Sequence, residues 1–160
     1  MPNYRRYYIE NSLIFITNVT LHRKPILLEE DNVNLFWHSL EMVKDHHPFN
    51  LLAYVILPDH FHWLISMPQN DSNFSRVLLS FKWNYTLNYK KLHEIHDPFH
   101  IWQRGFLDHV IRNEKDLETH VDYIHYNPVK HKLADSPETW QYSSYRDWEA
   151  NGLCRSGTSA

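Results

Sequence analysis

The sequence predicts an α+β fold: a ferredoxin-like split β-α-β arrangement, with an antiparallel sheet, helices on one face and an added C-terminal helix. Three observations predict it. Short β-branched and aromatic runs alternate with longer runs of helical period in the order β-α-β-β-α-β-α. Two of the short runs are separated only by Pro58-Asp59, which makes them a hairpin and the sheet antiparallel there. With 42% hydrophobic residues, among them 6 Trp, 10 Tyr and 8 Phe, the chain can fill a large aromatic core.

Ser12–Thr20 (SLIFITNVT) has the β-branched and aromatic composition of a strand. Glu29–His46 places Val33, Trp37, Leu40 and Val43 at the spacing of a buried helical stripe, and Pro48 stops it. Asn50–Leu57 and His60–Met67 are the hairpin strands, closed off by Pro68. From Asp71 to about Leu92 the residues Phe74, Leu78, Phe81, Tyr85, Tyr89 and Leu92 form a second stripe, with Asp71 or Ser72 as the expected cap. Gly105–Arg112 (GFLDHVIR) reads as the fourth strand. Asn113 then caps a helix with Asp116 at its third position; Leu117, Val121 and Ile124 stripe it, and Pro128 is expected to end it. The aromatic segment Pro137–Trp148 is expected to pack as a short helix or loop.

A chain of 160 residues is the length of one domain; residues 1–150 are expected to form it, and 151–160 a disordered tail. The longest unbroken apolar run, Leu51–Leu57, falls far short of the ~20 residues that cross a bilayer, and MPNYRRYYIE has no apolar signal core. A single cysteine, Cys154, makes neither an internal disulfide nor a C-x-x-C pair. The expectation is a cytoplasmic protein without membrane contact. A balance of 16 Lys+Arg against 19 Asp+Glu, net −3, speaks by itself against nucleic acid. Against it stand 13 histidines, groups that ligate metals and transfer protons near neutral pH.

Asp59-His60-Phe61-His62 opens the third strand, where alternation sends His60 and His62 to one face and Phe61 and Trp63 to the other. Two such imidazoles can share a divalent metal, although a bare His-x-His also suits a wet sheet face. On the last helix, His120, Tyr123 and Asn127 fall within about 60° of one another, beside the stripe of Leu117, Val121 and Ile124. A phenol there can serve as a nucleophile and an amide oxygen one turn on as a metal ligand; a boundary aromatic and a C-terminal cap fit the same positions. On the long helix, Arg76, Trp83 and Lys90 lie opposite the apolar stripe, so that Trp83 either stacks on an unpaired base or is covered by the C-terminal segment. Further cations are Arg5, Arg6, Arg23, Lys24, Lys91, Arg104, Arg112, Lys130 and Lys132. HEIHDPFH (His93–His100) has the letters of a zinc-protease motif without its H-E-x-x-H spacing, and reads as a helix end and loop.

With their surroundings these residues resemble the single-tyrosine transposases of the HUH superfamily, and within them the REP-associated tyrosine transposases. The matching segments are YRRYYI (Tyr4–Ile9), LPDHFHWL (Leu57–Leu64), IWQRGFLDHVIRN (Ile101–Asn113) and HVDYIHYNPVKHKL (His120–Leu133). The resemblance implies a metal-dependent endonuclease and strand transferase acting on single-stranded DNA beside hairpins of repetitive extragenic palindromes, through a 5′-phosphotyrosyl intermediate. His60 and His62 match the two motif histidines, Tyr123 the nucleophile on the added helix, and Asn127 a third ligand to Mg²⁺ or Mn²⁺. Since tyrosine ordinarily ionises near pH 10, His120 and Lys130 are the candidates to assist it. Asp59 is expected to orient one histidine.

Arg5, Arg6, Arg76, Trp83, Lys90, Arg104, Arg112, Lys130 and Lys132 are the expected DNA contacts, which places the protein on the nucleoid when bound. Positive potential is then expected on the face of His60, His62 and Tyr123, with the acids opposite. Monomer and dimer both fit the resemblance. Two other functions use the same residues: a domesticated hairpin-binding protein that no longer cuts, and a metallohydrolase unrelated to DNA.

Overall fold

Strand alternation decides the layering. In a computed structural model that describes residues 6–9 and 11–152, β3 (His60–Ser66) lies between β1 (Leu13–Val19) and β2 (Asn50–Ile56), and β4 (Leu107–Val110) completes the order β2-β3-β1-β4. All three pairings are antiparallel. Because β1 and β2 run the same way with β3 inserted between them, this is the split β-α-β sheet that the element order predicts. The DNA contact expected at Arg5 and most of the expected tail, 153–160, lie outside the described residues. No helix of the described residues is long and apolar enough to cross a membrane.

One face of the sheet is an aromatic layer. Phe61, Trp63 and Ile65 of β3 and Ile14 and Ile16 of β1 bury against α1 (Glu30–His46) and α2 (Phe74–Leu92), whose stripes contribute Phe36, Leu40, Val43, Leu78, Phe81 and Tyr85. Trp63 is fully buried, with ring centroids of Phe61 at 4.7 Å and Phe81 at 4.9 Å. The other face carries α3 (Glu114–Lys130), whose Val121 and Ile124 pack on Ala53, Val55, Leu57 and Leu64. The two predicted helices thus share one face, and the added helix covers the opposite one.

β2 is an edge strand that would expose unpaired backbone. The C-terminal segment covers it: Ile56 N–H donates to Tyr142 O at 2.8 Å and Ser144 N–H to Tyr54 O at 3.0 Å, while the indoles of Trp140 and Trp148 donate to Ile56 O and Leu52 O. The aromatic stretch Pro137–Trp148 is therefore an edge cover leading into α4 (Tyr145–Ala150).

Three element ends differ from the sequence expectation, each for a local reason. Asn73, rather than Asp71 or Ser72, caps α2 by accepting from Arg76 N–H, and Asp71 instead accepts the N–H of Asn73. β4 is shorter than Gly105–Arg112 because Asp116 takes the Arg112 N–H, turning the chain into α3. α3 runs two residues past Pro128, which costs the helix the bond to the Ile124 carbonyl without ending it. The helix closes on a Schellman motif, with Leu133 N–H on Pro128 O (2.8 Å), Lys132 N–H on Val129 O (3.0 Å) and Lys132 at φ +59°.

Lysine pays a steric penalty in that left-handed position that glycine does not. Lys132→Gly is expected to raise stability by about 0.5–1 kcal/mol in urea unfolding; a decrease would contradict the motif. Buried His125 shares a 2.8 Å hydrogen bond with Ser144 Oγ and packs on Tyr145 and Trp148; burial pulls its pKa from 6.5 down to about 4. Between those values the unfolded chain binds the proton that the folded chain refuses, so stability is complete above pH 6.5 and is lost as pH falls toward 4. His125→Gln should lessen that loss by up to about 3 kcal/mol, read from Tm against pH, and an unchanged profile would refute the assignment.

Candidate active site

The alternation that buries Phe61 and Trp63 turns His60 and His62 toward α3. Their rings stand 5.1 Å apart between centroids at 83°. Each is tethered at Nδ1: His60 donates to Asp59 Oδ1 at 2.6 Å, and His62 is 2.8 Å from Thr17 Oγ1, its direct partner across β1 and β3. With Nδ1 of each ring engaged in this way, Nε2 is the nitrogen each presents; for His60 the carboxylate partner fixes the proton on Nδ1. His62 Nε2 is buried and makes no hydrogen bond. Burial, followed by the charges of His60, His131 and Lys130, pulls the His62 pKa from 6.5 to about 3, so the ring is neutral near pH 7. Asp59 is held in turn by Arg23, 3.2 Å away. Desolvation pushes its carboxyl up, but the His60 bond and charge and the Arg23 contact outweigh it and leave the pKa lowered.

α3 supplies the facing groups. Tyr123, Asn127 and His131 are four residues apart, one helical turn each, and therefore line one edge. Tyr123 is 39% exposed, with its ring 5.2 Å from that of His62 and edge-on to it. Lys130 Nζ lies 5.0 Å from the centre of the Tyr123 ring. At the other end His131 stands 5.4 Å from His60. Between them Asn127 is 1% exposed, and neither its amide oxygen nor its nitrogen has a hydrogen-bond partner. Buried polar atoms in native proteins are nearly always bonded. Two presented imidazole nitrogens, with an unbonded amide oxygen on the facing helix, are donors of a kind that fits a divalent cation.

The structure brings His60, His62 and Tyr123 together, with Lys130 beside them, and Asn127 lies on the same helix edge between Tyr123 and His131. Sequence reasoning missed Thr17 and His131. His131 was legible as the next turn after Asn127, whereas Thr17 enters only through the strand register. His120 is turned away from the pair: its Nδ1 bonds Asp116 O at 2.8 Å and lies 3.1 Å from Asp116 Oδ1. Asp116 also accepts from His109 Nε2 at 2.8 Å. Its pKa is about 2, the desolvation that raises it being outweighed by the His109 bond, the Arg112 N–H and the charges of His109 and His120.

The expected DNA contacts do not share one face. Arg76, Trp83 and Lys90 belong to α2, across the sheet from His60 and His62. Trp83 is 70% exposed and not covered by the C-terminal segment, which lies on β2 instead. With Lys90, Arg104, Leu79 and Leu87 it lines a groove of about 770 Å³. Arg6 bonds Phe106 O at 2.8 Å, pairs with Asp108 at 3.2 Å and lies over the Phe106 ring, fixing the N-terminal segment to β4. Arg112 and Lys132 are exposed at the two ends of α3. Acids are not swept to the opposite side either: Glu114, Glu118 and Asp122 line a hollow on α3 with Arg112 and Lys115. The first turn of a helix favours carboxylates, which accounts for Glu114 but not for Glu118 and Asp122 further along.

Comparison with known proteins converges on one family. The family model "Transposase IS200 like" matches residues 6–127. A Haemophilus influenzae protein named in the REP-associated tyrosine transposase group is 38% identical over 94% of this chain and 89% of its own length. The REP-associated tyrosine transposase of Escherichia coli is 35% identical over 96% of this chain and 88% of its own. A solved REP-associated tyrosine transposase bound to a REP hairpin superposes with a TM-score of 0.87 at 35% identity, covering 97% of this chain and 89% of that one. The chain, with a tyrosine helix laid across a histidine-bearing strand of a split antiparallel sheet, belongs to the IS200-like transposases.

Proposed function

We propose that this transposase cleaves and rejoins single-stranded DNA next to a hairpin, with Tyr123 as nucleophile and a divalent metal, Mg²⁺ or Mn²⁺, held by His60, His62 and Asn127. The placement of the Tyr123 ring 5.2 Å from His62, whose Nε2 is presented and unbonded, carries the reading. The hairpin follows from the relative solved with one.

Tyr123 Oη attacks the scissile phosphorus, the P–O3′ bond breaks, and the 3′ oxygen leaves as a hydroxyl while the 5′ phosphate stays on tyrosine. An incoming 3′-OH reverses the step and restores the phenol, so joining needs no external energy source. The metal, when bound, neutralises charge on the phosphate. Lys130, its Nζ 5.0 Å from the centre of the Tyr123 ring, puts a positive charge beside the nucleophile. Asp59 fixes the His60 tautomer that leaves Nε2 available, and Thr17 orients the His62 ring through its Nδ1. Partial exposure of Tyr123 leaves its ring accessible to a strand.

Incubation with Mn²⁺ and an end-labelled strand carrying the cognate hairpin should give a covalent adduct on denaturing gels. Tyr123→Phe is expected to lower it by more than about 1,000-fold, and an undiminished adduct would refute the nucleophile. Hairpin binding that survives His60→Ala, with no cleavage by the native chain, would indicate a binding protein instead. Thr17→Val keeps the shape of the side chain and removes the bond to His62 Nδ1. Mn²⁺ affinity by calorimetry should weaken by about 10–100-fold with little change in Tm, and an unaltered affinity would exclude the orienting role.

A further inference from the structure

A second cluster of ligand atoms lies on the far side of Phe15 from His62. It comprises His109 of β4 with Asp116 and His120 of α3, and one ligand atom from each lies within 4.8 Å of the other two. The two imidazole rings stack at 4.6 Å and 13°, and the Asp116 carboxylate reaches both, 2.8 Å from His109 Nε2 and 3.1 Å from His120 Nδ1. The Phe15 ring separates this cluster from the first site, 5.2 Å from His62 on one side and 4.8 Å from His120 on the other. His109 and His120 border a hollow of about 500 Å³ whose wall also includes Phe15, Thr17 and Tyr123.

We propose that His109, Asp116 and His120 form a second metal site, distinct from that of His60 and His62, for a nitrogen-preferring ion of the Zn²⁺ or Co²⁺ class. Two imidazoles and one carboxylate match the donors of such ions and do not match Mg²⁺, which prefers oxygen and retains its water. Three protein ligands leave a further coordination position for a group in the hollow, as in zinc sites that are not purely structural. The ligands come from two elements, since His109 sits on the sheet edge and Asp116 and His120 on consecutive turns of α3. An ion there ties the first turns of α3 to β4, one turn before Tyr123. The Asp116 carboxylate accepts from His109 Nε2, and its other oxygen lies 3.1 Å from His120 Nδ1, which is itself held on the Asp116 backbone oxygen, so the three groups stand close to where an ion would need them.

Co²⁺ titration of the full chain tests the site without DNA, so its failure is separate from failure of the transposase reading. In the His60→Ala/His62→Ala chain, one equivalent of Co²⁺ should bind with visible ligand-field absorption, and Zn²⁺ should displace it. Adding His109→Gln or His120→Gln should weaken that binding by about 100-fold or more, with circular dichroism confirming that the chain is folded. If the double variant does not fold, the native chain should bind two equivalents and His109→Gln one. Absence of Co²⁺ binding by the folded double variant, or binding unaffected by both glutamine substitutions, would overturn the proposal.

Discussion

Strand β3 is buried on both faces, and each face demands a different chemistry. Phe61, Trp63 and Ile65 complete an aromatic layer with α1 and α2, while His60 and His62 look toward α3. Because the side-chain period of a strand is two, sliding β3 by one residue would bury both imidazoles among Phe36, Phe81 and Trp102 and turn Trp63 to the site. The aromatic core thus fixes the register of the histidines. Every partner of β3 follows from that register: Thr17 opposite His62 on β1, and Val55 opposite His62 on β2, where α3 packs. Stability of the hydrophobic layer and geometry of the site are one constraint seen from two sides of the sheet.

The site face carries buried polar groups of its own. An unbonded His62 Nε2 and an unbonded Asn127 amide at near-complete burial each cost about 1–3 kcal/mol relative to satisfied groups. Such a cost persists only where the surrounding packing overdetermines it, here through the Val121 and Ile124 stripe and the aromatic layer behind. A ligand that supplies the missing bonds binds the folded chain and not the unfolded one, and so stabilises it by mass action. Tethers from Asp59 and Thr17 keep the imidazoles from relieving their own isolation by rotating, which maintains both the cost and the readiness.

Much of this was legible in the chain because it rests on short-range periodicity. The pleat of His60 to Trp63, the stripes of α1 and α2 and the single polar edge of His120, Tyr123 and Asn127 all follow from residues a few positions apart. What was illegible depends on tertiary contact. Thr17 is 45 residues from His62 and becomes its partner only through the β1–β3 pairing. The distribution of cations was unreadable for the same reason: Arg76 and Lys90 are positive on any reading, but only the layering shows them across the sheet from the histidines. Pro128 is misleading because a proline does not by itself end a helix: it denies the Ile124 carbonyl one partner, and the chain continues helical to Lys130 before the Schellman closure ends it.

Helix α3 concentrates these effects. Its N-terminus is pinned by Asp116, whose carboxylate accepts from His109 and the Arg112 backbone, while Asn113 caps the first turn by accepting from Asp116 N–H. Its C-terminus is pinned by the Lys132–Leu133 closure. Tyr123, Asn127 and His131 lie between the two anchors at one-turn intervals, so an axial shift or rotation of the helix moves all three against His60 and His62 together. One turn is 5.4 Å of travel and one residue is 100° of rotation, far more than a hydrogen-bonded cap at either end permits. The acids of the first turn, which run against the charge expected around a DNA site, are on this view part of the machinery. Both sit at the positive end of the helix dipole, and Asp116 secures the anchor nearest Tyr123 through its bonds to His109 and the Arg112 backbone.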